Sequence, residues 1–459
     1  VALLEKHEDA CFGVSKANSG IIHAGFHHEA STLKAKLEVR GNMMYDRLRE
    51  ELNFPFLRNG VIVAAFTAEE MKSAETLYRR GIENGVPGIE LCGPERLLEL
   101  EPKLNPDTTG GLYAPSGGVI EPYRFVFSLV ESAVKNGVDF KTNFEVSKTE
   151  FKDGAHTLHS SRGDIVKAKY AVNAAGLHAD KISMLFGAEK FKIRGRKGEE
   201  YLLDRNTPAR PKHVIFPAPA KDSKGMLVIP TVEGTVMIGP TADMTGDKED
   251  FSTSRDNLEK VFKSASMMIR GVSRSDIITS FTGIRPVIDG DDFYIAGSRL
   301  APGLVQAAGI QSPGLTAAPA IAEYVRDLLA DAGLKLTERK DYDPCIPPFP
   351  RAAEMSMDEL DKAAADNRAF ANIICRCERV SEAEIVAAIR KGHRTLDGIK
   401  FSTRAGMGRC QGGFCSFKIL RIIARETGMD ITEITKKGGA GHIAKRKISA
   451  ETIEDSVYA

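Results

Sequence analysis

Between Thr32 and Leu52, apolar side chains recur at Leu33, Leu37, Met44 and Leu48 with charged residues between them, the spacing of an amphipathic helix. Ala68–Gly85, Gly93–Leu100 and Tyr123–Asn136 predict three more helices, the second followed by Pro102. NGVIVAAF over Asn59–Phe66 reads as a strand, and VDFKTNFEVSKTEF over Val138–Phe151 is strand-like. VALLEK at the start reads as a short buried strand ending in an acid, Glu5. Ala168–Asp180, AKYAVNAAGLHAD, predicts a buried strand that enters a glycine turn and then a helix. From 190 to 300 the helical period gives way to short β segments, EEYLLD, HVIFPA, MLVIP and TVMIG, separated by Pro and Gly. A glycine-bearing turn, Gly309–Thr316, then leads into a helix over Ala317–Leu329. Residues 338–356 are rich in Pro and charge and read as a linker. Ser381–Lys391 predicts a helix with an S-x-x-E capping box, Ser381 and Glu384, and a stop at Gly392. KKGGAGHIAKRK, Lys436–Lys447, reads as a flexible, solvated basic tail.

The alternation of strands and helices predicts an α/β protein. A length of 459 residues corresponds to about three domains. Hydrophobic content of 42% and charged content of 27% are those of a soluble globular chain. A net charge of +1 removes a polyanion-binding role, and no nucleic-acid motif occurs. The most apolar segment, Gly303–Val325, is broken by Gln306, Gln311, Ser312, Pro313 and Pro319, so no transmembrane segment is expected. No signal peptide is visible. Cys11, Cys92 and Cys345 are scattered and read as buried free thiols in a reducing compartment. A cytoplasmic protein is expected, with peripheral membrane contact only through a partner.

The other four cysteines carry chemistry. Cys375 and Cys377 form a C-x-C pair, Cys410 and Cys415 a C-x4-C pair, with 32 residues between the pairs. Two thiol pairs at that distance suit one inorganic centre gripped from two loops. Four thiolates fit zinc or an iron–sulfur cluster. C-x-C leans away from the common zinc spacing, while uncoordinated thiols stay open. Arg376, Arg379, Lys400, Arg404 and Arg409 lie near in sequence and could offset a negative centre. The stretch resembles the bacterioferritin-associated-ferredoxin-like [2Fe–2S] domain in its C-R-C, TLDGIK (Thr395–Lys400), TRAGMGRC (Thr403–Cys410) and QGGFC segments. The resemblance places Cys375, Cys377, Cys410 and Cys415 at the four cluster-ligand positions and implies an electron relay.

GVSKANSGIIHAGFHHE, Gly13–Glu29, crowds small and polar residues that let backbone amides approach a ligand. Read alone, it is an ordinary loop. Its NSG-x-x-HAG form, Asn18–Gly25, and the following Ser31–Leu37 resemble the D-amino-acid-oxidase-like FAD oxidoreductases, nearest to 2-hydroxyglutarate and glycerol-3-phosphate dehydrogenases. NAAG at Asn173–Gly176, GIRP around Arg285 and GIQSPGLT at Gly309–Thr316 match further segments of that family. The resemblance implies FAD contacts from Glu5, Ser15, Lys16, Asn18, Ser19, Gly20, Val146, Ala174 and Gly176. It implies more from Gly309, Ile310, Gln311, Ser312, Gly314, Leu315 and Thr316 in the turn against the isoalloxazine ring. The implied architecture is a Rossmann-like FAD-binding domain (about 1–58, 138–190 and 295–335) with an inserted mixed-sheet substrate domain (59–137 and 191–294). A linker (336–370), a small mainly helical [2Fe–2S] domain (371–425) and a tail (426–459) follow. The family's glycine-rich pyrophosphate turn falls about 20 residues before Glu5 and so ahead of Val1; the chain as given is expected to hold FAD less well than one that includes it.

The expected reaction is oxidation of a small anionic secondary alcohol, with hydride passing to the flavin and a base taking the hydroxyl proton. His23 is the candidate base, because an imidazole suits proton transfer near neutrality. Arg285 is the candidate anion holder, because its planar fork matches phosphate or carboxylate; read alone, it is a surface ion pair. Glycerol 3-phosphate leads as substrate, then L-2-hydroxyglutarate, then an amino acid or amine. Electrons would leave through the cluster to a partner subunit or quinone. The non-enzymatic alternatives are a [2Fe–2S] carrier or a zinc-stapled interaction module.

Overall fold

The computed structural model describes residues 1–219, 225–290 and 292–446. Asp291 and the end of the basic tail from Lys447 lie outside the described residues. The chain folds as two compact units, where length alone suggested about three. The first holds 1–2, 13–139 and 144–346; the second holds 3–12, 140–143 and 347 onward.

In the first unit, the largest sheet among the described residues has nine strands and mixed direction. Its apolar centre is the strand Val61–Ala65, buried at every position, with Val214–Pro217 parallel on one side and Gly110–Ala114 antiparallel on the other. The helix Ala68–Glu83 covers it, started by the capping box of Thr67 and Glu70. The longest pairing joins Arg194–Leu203 to Ile277–Val287, antiparallel and in register at Arg196 and Arg285. A smaller sheet places Ala171–Asn173 parallel to Leu304–Ala308, with Tyr294–Gly297 on the far edge. The first unit is therefore mixed α/β, holding both a small sheet with a parallel pair and a large mixed sheet.

The predicted helices occur at Leu33–Leu52, Ala68–Glu83, Pro94–Leu100, Pro122–Lys135 and Gly314–Asp331. Four readings need correction. The region 190–300 is not all β: Arg255–Met268 is a helix capped by Ser254, burying Leu258, Val261, Ala265 and Met268 at helical spacing. The Val138–Phe151 strand is two, Asp139–Lys141 and Val146–Lys152, because Asn143 adopts a left-handed φ of 57° between them. The opening strand, Ala2–Leu4, is not buried: Val1 is 99% exposed and Leu3 40%. Its sheet has only two strands, so little covers it. Cys345 is exposed, whereas Cys11 and Cys92 are buried.

The second unit is mainly helical. Within the stretch read as linker, Met357–Asp366 is a helix with its own capping box, Ser356 and Glu359. A short hairpin, Ile373–Cys375 with Val380–Ser381, leads into the helix Glu382–Arg390, and Leu396–Thr403 and Ser416–Thr427 follow. Ile385, Ile389, Ile399, Ile419, Ile423 and Ile434 fill their common core. The tail is not all free in solvent: Thr435 bridges His442, and Lys436 Nζ meets Asp397 at 2.8 Å.

The capping box at Ser381 is buried, its hydroxyl receiving the Glu384 N–H at 3.4 Å and Glu384 Oε2 receiving the Ser381 N–H at 2.8 Å. Ser381→Ala is expected to cost the second unit about 1–2 kcal/mol. A urea melt followed by helical circular dichroism checks this, and an unchanged midpoint refutes it.

Candidate functional site

The NSG segment folds around its own asparagine. Asn18 Nδ2 donates to the carbonyls of Val14 (3.1 Å) and Ser15 (2.8 Å), and Asn18 Oδ1 accepts from Gly20 N at 2.9 Å. Gly20 sits at φ +63°, where a Cβ would stand 2.5 Å from the Ile120 carbonyl, so only glycine fits. The strand Ile21–Ile22 then delivers His23, whose backbone is held from two sides. His23 N donates to the Thr316 hydroxyl at 2.9 Å, and its carbonyl accepts from Asn42 Nδ2 at 2.7 Å. Asn42 and Thr316 come from two helices that touch through Gly41, where a Cβ would lie 2.2 Å from the Thr316 carbonyl. Tyr45, on the first of these helices, donates its hydroxyl to the Leu315 carbonyl at 2.5 Å. The GIQSPGLT turn and the NSG segment are therefore one assembly. On the imidazole, Nε2 lies 3.3 Å from Ser312 Oγ, and Phe216 and His27 pack on the ring. Burial, reinforced by the charge of His28, lowers the His23 pKa to about 4, so the ring is neutral at neutral pH.

The strand face beside this assembly carries the charge. Arg196 and Arg285 are direct cross-strand partners, and Glu200 lies on the same face as Arg196, four residues along. Between them stand Gly198 and Gly283, also paired. A Cβ at Gly283 would lie 2.0 Å from the Ala17 carbonyl, so the NSG segment rests directly on this face. Arg285 Nη2 donates to the Thr241 carbonyl at 2.5 Å, and Arg196 Nη1 reaches Gln311 Oε1 at 3.4 Å. Glu200 accepts from Ser19 Oγ at 2.8 Å through Oε1, while its buried Oε2 has no hydrogen-bond partner. Burial raises the Glu200 pKa to about 7 against the pull of Ser19 and Arg285. Two arginines directly opposite on one sheet face repel each other and favour an anion between them. Arg196 and Glu200 were missed in the sequence because only strand register brings them to Arg285.

Among the other predicted contacts, Ala174 is exposed and Gly176 half-buried, with φ +56° and open space where a Cβ would point. Asn173 holds their turn in place, donating to the Ala179 carbonyl (2.8 Å) and to Gln306 Oε1 (2.7 Å). Gln306 lies on the strand that runs into Gly309, which linkage places the NAAG turn beside the GIQSPGLT turn. Gly309 lies at φ +68° with Ile288 where a Cβ would be. Gly314 opens an 18-residue helix whose start has no side-chain cap. Val146, half-buried, begins a strand of a separate three-stranded sheet. Lys16 ends the single 3-10 turn Val14–Lys16, beside Ser15. Glu5 groups with the second unit, where its carboxylate accepts from His7 N at 2.9 Å. Open small-residue turns and an orphaned buried carboxylate oxygen, all on the first unit, fit a large polar cofactor.

In the second unit, the four cysteines converge as two pairs. Cys377 Sγ and Cys410 Sγ are 3.6 Å apart. Cys375 is held toward the thiolate, its pKa lowered to about 6 by the Cys415 thiol and by the backbone N–H groups of Gly406 and Glu378, whereas that of Cys415 is raised. No group of three or more His, Cys, Asp or Glu among the described residues is arranged around a single metal ion. Gly408 is required at close range, since a Cβ would lie 2.3 Å from that of Cys377. Behind the thiols, Arg404, at φ 71°, donates Nε to Glu378 at 2.9 Å in a buried pair. Of the five nearby cations, Arg404 is therefore engaged with a carboxylate. The donor set, four thiols from two loops with backbone N–H support, fits a thiolate-held cluster.

Comparison with known proteins matches the two regions of the chain to two families. The family model described as FAD dependent oxidoreductase matches residues 1–328, and that of the BFD-like [2Fe-2S] binding domain matches 373–425. A glycerol 3-phosphate dehydrogenase of Caloramator mitchellensis is 42% identical, covering 96% of this chain and 92% of its own. A glycerol 3-phosphate oxidase of Mycoplasma pneumoniae is 30% identical over 74% of this chain and 90% of its own. The FAD-bound structure of the L-alpha-glycerophosphate oxidase from Mycoplasma pneumoniae superimposes with a TM-score of 0.72 at 30% identity, over 76% of this chain and 93% of that one.

The Glu200 environment makes a pH prediction. Its folded pKa, about 7, lies above the ordinary glutamate value, so the folded state binds the extra proton and loses stability as pH rises between the two. Glu200→Gln is expected to remove that loss, on the order of a few kcal/mol. Thermal melts at pH 5 and pH 8 check it: the wild-type drop should shrink in the variant, and parallel profiles refute the assignment.

Proposed function

Because this chain belongs to the FAD-dependent oxidoreductase family and carries a BFD-like [2Fe–2S]-binding domain, we propose that it oxidises glycerol 3-phosphate to dihydroxyacetone phosphate and releases the electrons through the cluster. FAD and the [2Fe–2S] cluster are its cofactors. The observation that carries the substrate reading is the cross-strand pair of Arg196 and Arg285 on the face where the NSG segment rests. The names of the similar proteins, glycerol 3-phosphate dehydrogenase and oxidase, point the same way.

FAD held in this cradle would supply hydride acceptance at the carbinol carbon, and a cluster held by the four cysteines would supply one-electron transfer. The chain's own residues do the rest. Arg285 grips the phosphate with its planar fork, and Arg196, steadied by Gln311, adds the second cation. Thr241 fixes the Arg285 side chain through its carbonyl. His23 receives the hydroxyl proton on Nε2, where the substrate hydroxyl takes the place of the Ser312 hydroxyl that lies 3.3 Å away. Its neutral state supplies the unprotonated nitrogen, and the negative charge of the bound phosphate raises its proton affinity. Glu200 balances the two arginines and positions Ser19. Ser15, Lys16, Asn18, Ser19, Gly20, Ala174, Gly176 and the 309–316 turn form the flavin cradle, and Cys375, Cys377, Cys410 and Cys415 hold the cluster. We place the protein in the cytoplasm, its electrons passing to a partner subunit or quinone. No helix among the described residues is long and apolar enough to cross a membrane.

Turnover with a dye acceptor tests the assignment. Arg285→Ala is expected to raise KM for glycerol 3-phosphate roughly 10- to 100-fold through loss of a charged hydrogen-bonded contact. Arg285→Lys should recover only part of it. His23→Ala is expected to lower kcat about 100-fold or more. Full turnover in both alanine variants, with flavin bound, removes the site assignment. Faster turnover of L-2-hydroxyglutarate than of glycerol 3-phosphate removes the substrate.

A further inference from the structure

The cluster-ligand loops are not evenly buried. Cys375 and Cys415 are buried, Cys410 is half-buried and Cys377 is exposed. One edge of the thiol set therefore faces outward. Beside it, Phe414 is 82% exposed and Phe417 64%. Phe414 precedes the ligand Cys415, and Phe417 lies on the first turn of the helix Ser416–Thr427. That helix buries Ile419, Leu420, Ile422 and Ile423, which leaves Phe417, Lys418 and Arg421 on its outer side. The unit's core is thus complete without the two rings.

The charge around them has one sign. From Ala405 to Ala424 the sequence contains no Asp or Glu but carries Arg409, Lys418 and Arg421, all exposed. Arg376, between the ligands Cys375 and Cys377, is exposed as well. Glu378, next to the ligand Cys377, is buried against Arg404. Exposed aromatic rings with a cationic rim have the composition of a protein-docking surface, in which the rings anchor and the charges steer.

We propose that this face docks an acidic one-electron carrier protein, which takes electrons from the cluster at its Cys377–Cys410 edge. The proposal rests on the electron path given under Proposed function. The step is a single electron transfer: the cluster is oxidised by one electron, the carrier is reduced by one, and no bond forms or breaks. An anionic partner is selected because the exposed charges beside the ligands and on the first turns of the helix, Arg376, Arg409, Lys418 and Arg421, are positive, and the rings provide apolar area that ionic strength does not screen.

The test is equilibrium binding, which does not depend on the substrate assignment. Full-length holoprotein is titrated with two acidic probes, a plant-type ferredoxin and a flavodoxin, with the cationic cytochrome c as control. At least one acidic probe should bind, weakening about tenfold or more between low and high salt, while cytochrome c does not bind. The double variant Lys418→Glu/Arg421→Glu should weaken it by a similar factor. Phe414→Ser/Phe417→Ser should weaken it at every salt concentration. Each variant should keep the wild-type cluster spectrum, and cluster reduction on adding glycerol 3-phosphate should persist in both. The proposal is overturned if neither acidic probe binds, if cytochrome c binds as well as they do, or if the variants bind unchanged. Concentration-dependent self-association that the Phe variants abolish overturns it too, assigning the face to a second copy. If the variants block substrate-driven cluster reduction while flavin bleaching persists, the face serves electron entry, and the proposal falls. If no substrate bleaches the wild type, the electron path falls while the binding result stands.

Discussion

The first unit depends on the buried hydroxyl of Thr316. It receives the His23 backbone N–H at 2.9 Å from a residue 293 positions away in sequence. A hydrogen bond of this kind contributes only about 1 kcal/mol net, but leaving its buried partners unmade costs more. Around it the constraints accumulate. Gly41 lets two helices meet at backbone distance, Asn42 holds the other side of His23, and Tyr45 ties down the Leu315 carbonyl. None of these residues touches a substrate in the proposed mechanism. Together they fix where the imidazole stands relative to Ser312 and the 309–316 turn.

That clamp gives the charged face its meaning. Arg196 and Arg285 are held opposite each other by ladder register, and Gly283, two residues along the strand from Arg285, leaves room for the Ala17 carbonyl beside the NSG segment. Glu200 offsets the arginines only in part, since burial opposes its ionisation. A site with two cations, a partly neutral carboxyl and a neutral imidazole is set up to receive an anion whose hydroxyl gives up a proton. The second unit repeats the theme with softer ligands. Backbone N–H groups favour the Cys375 thiolate, and a buried Arg404–Glu378 pair stands behind the loop.

Much of this was legible before any coordinates. The NSG-x-x-HAG, NAAG, GIQSPGLT and four-cysteine segments are local: each constrains its own backbone, so its residues stand together in sequence. The helices with strong periods, such as Leu33–Leu52 and Ala68–Glu83, fell within a few residues of expectation. Arg255–Met268 was also written in its apolar spacing, but the surrounding Pro- and Gly-rich β segments masked it. Arg196 and Glu200 could not be read, because their partners are set by cross-strand register. The same holds for Asn42, whose role exists only once two distant helices meet.

The central claim is that electrons from the substrate reach the cluster through the flavin. An anaerobic visible spectrum of the holoprotein, recorded before and after adding glycerol 3-phosphate, tests it most directly. The account predicts loss of the flavin bands followed by bleaching of the cluster bands. A flavin that bleaches beside a cluster that stays oxidised, or no bleaching at all, contradicts it.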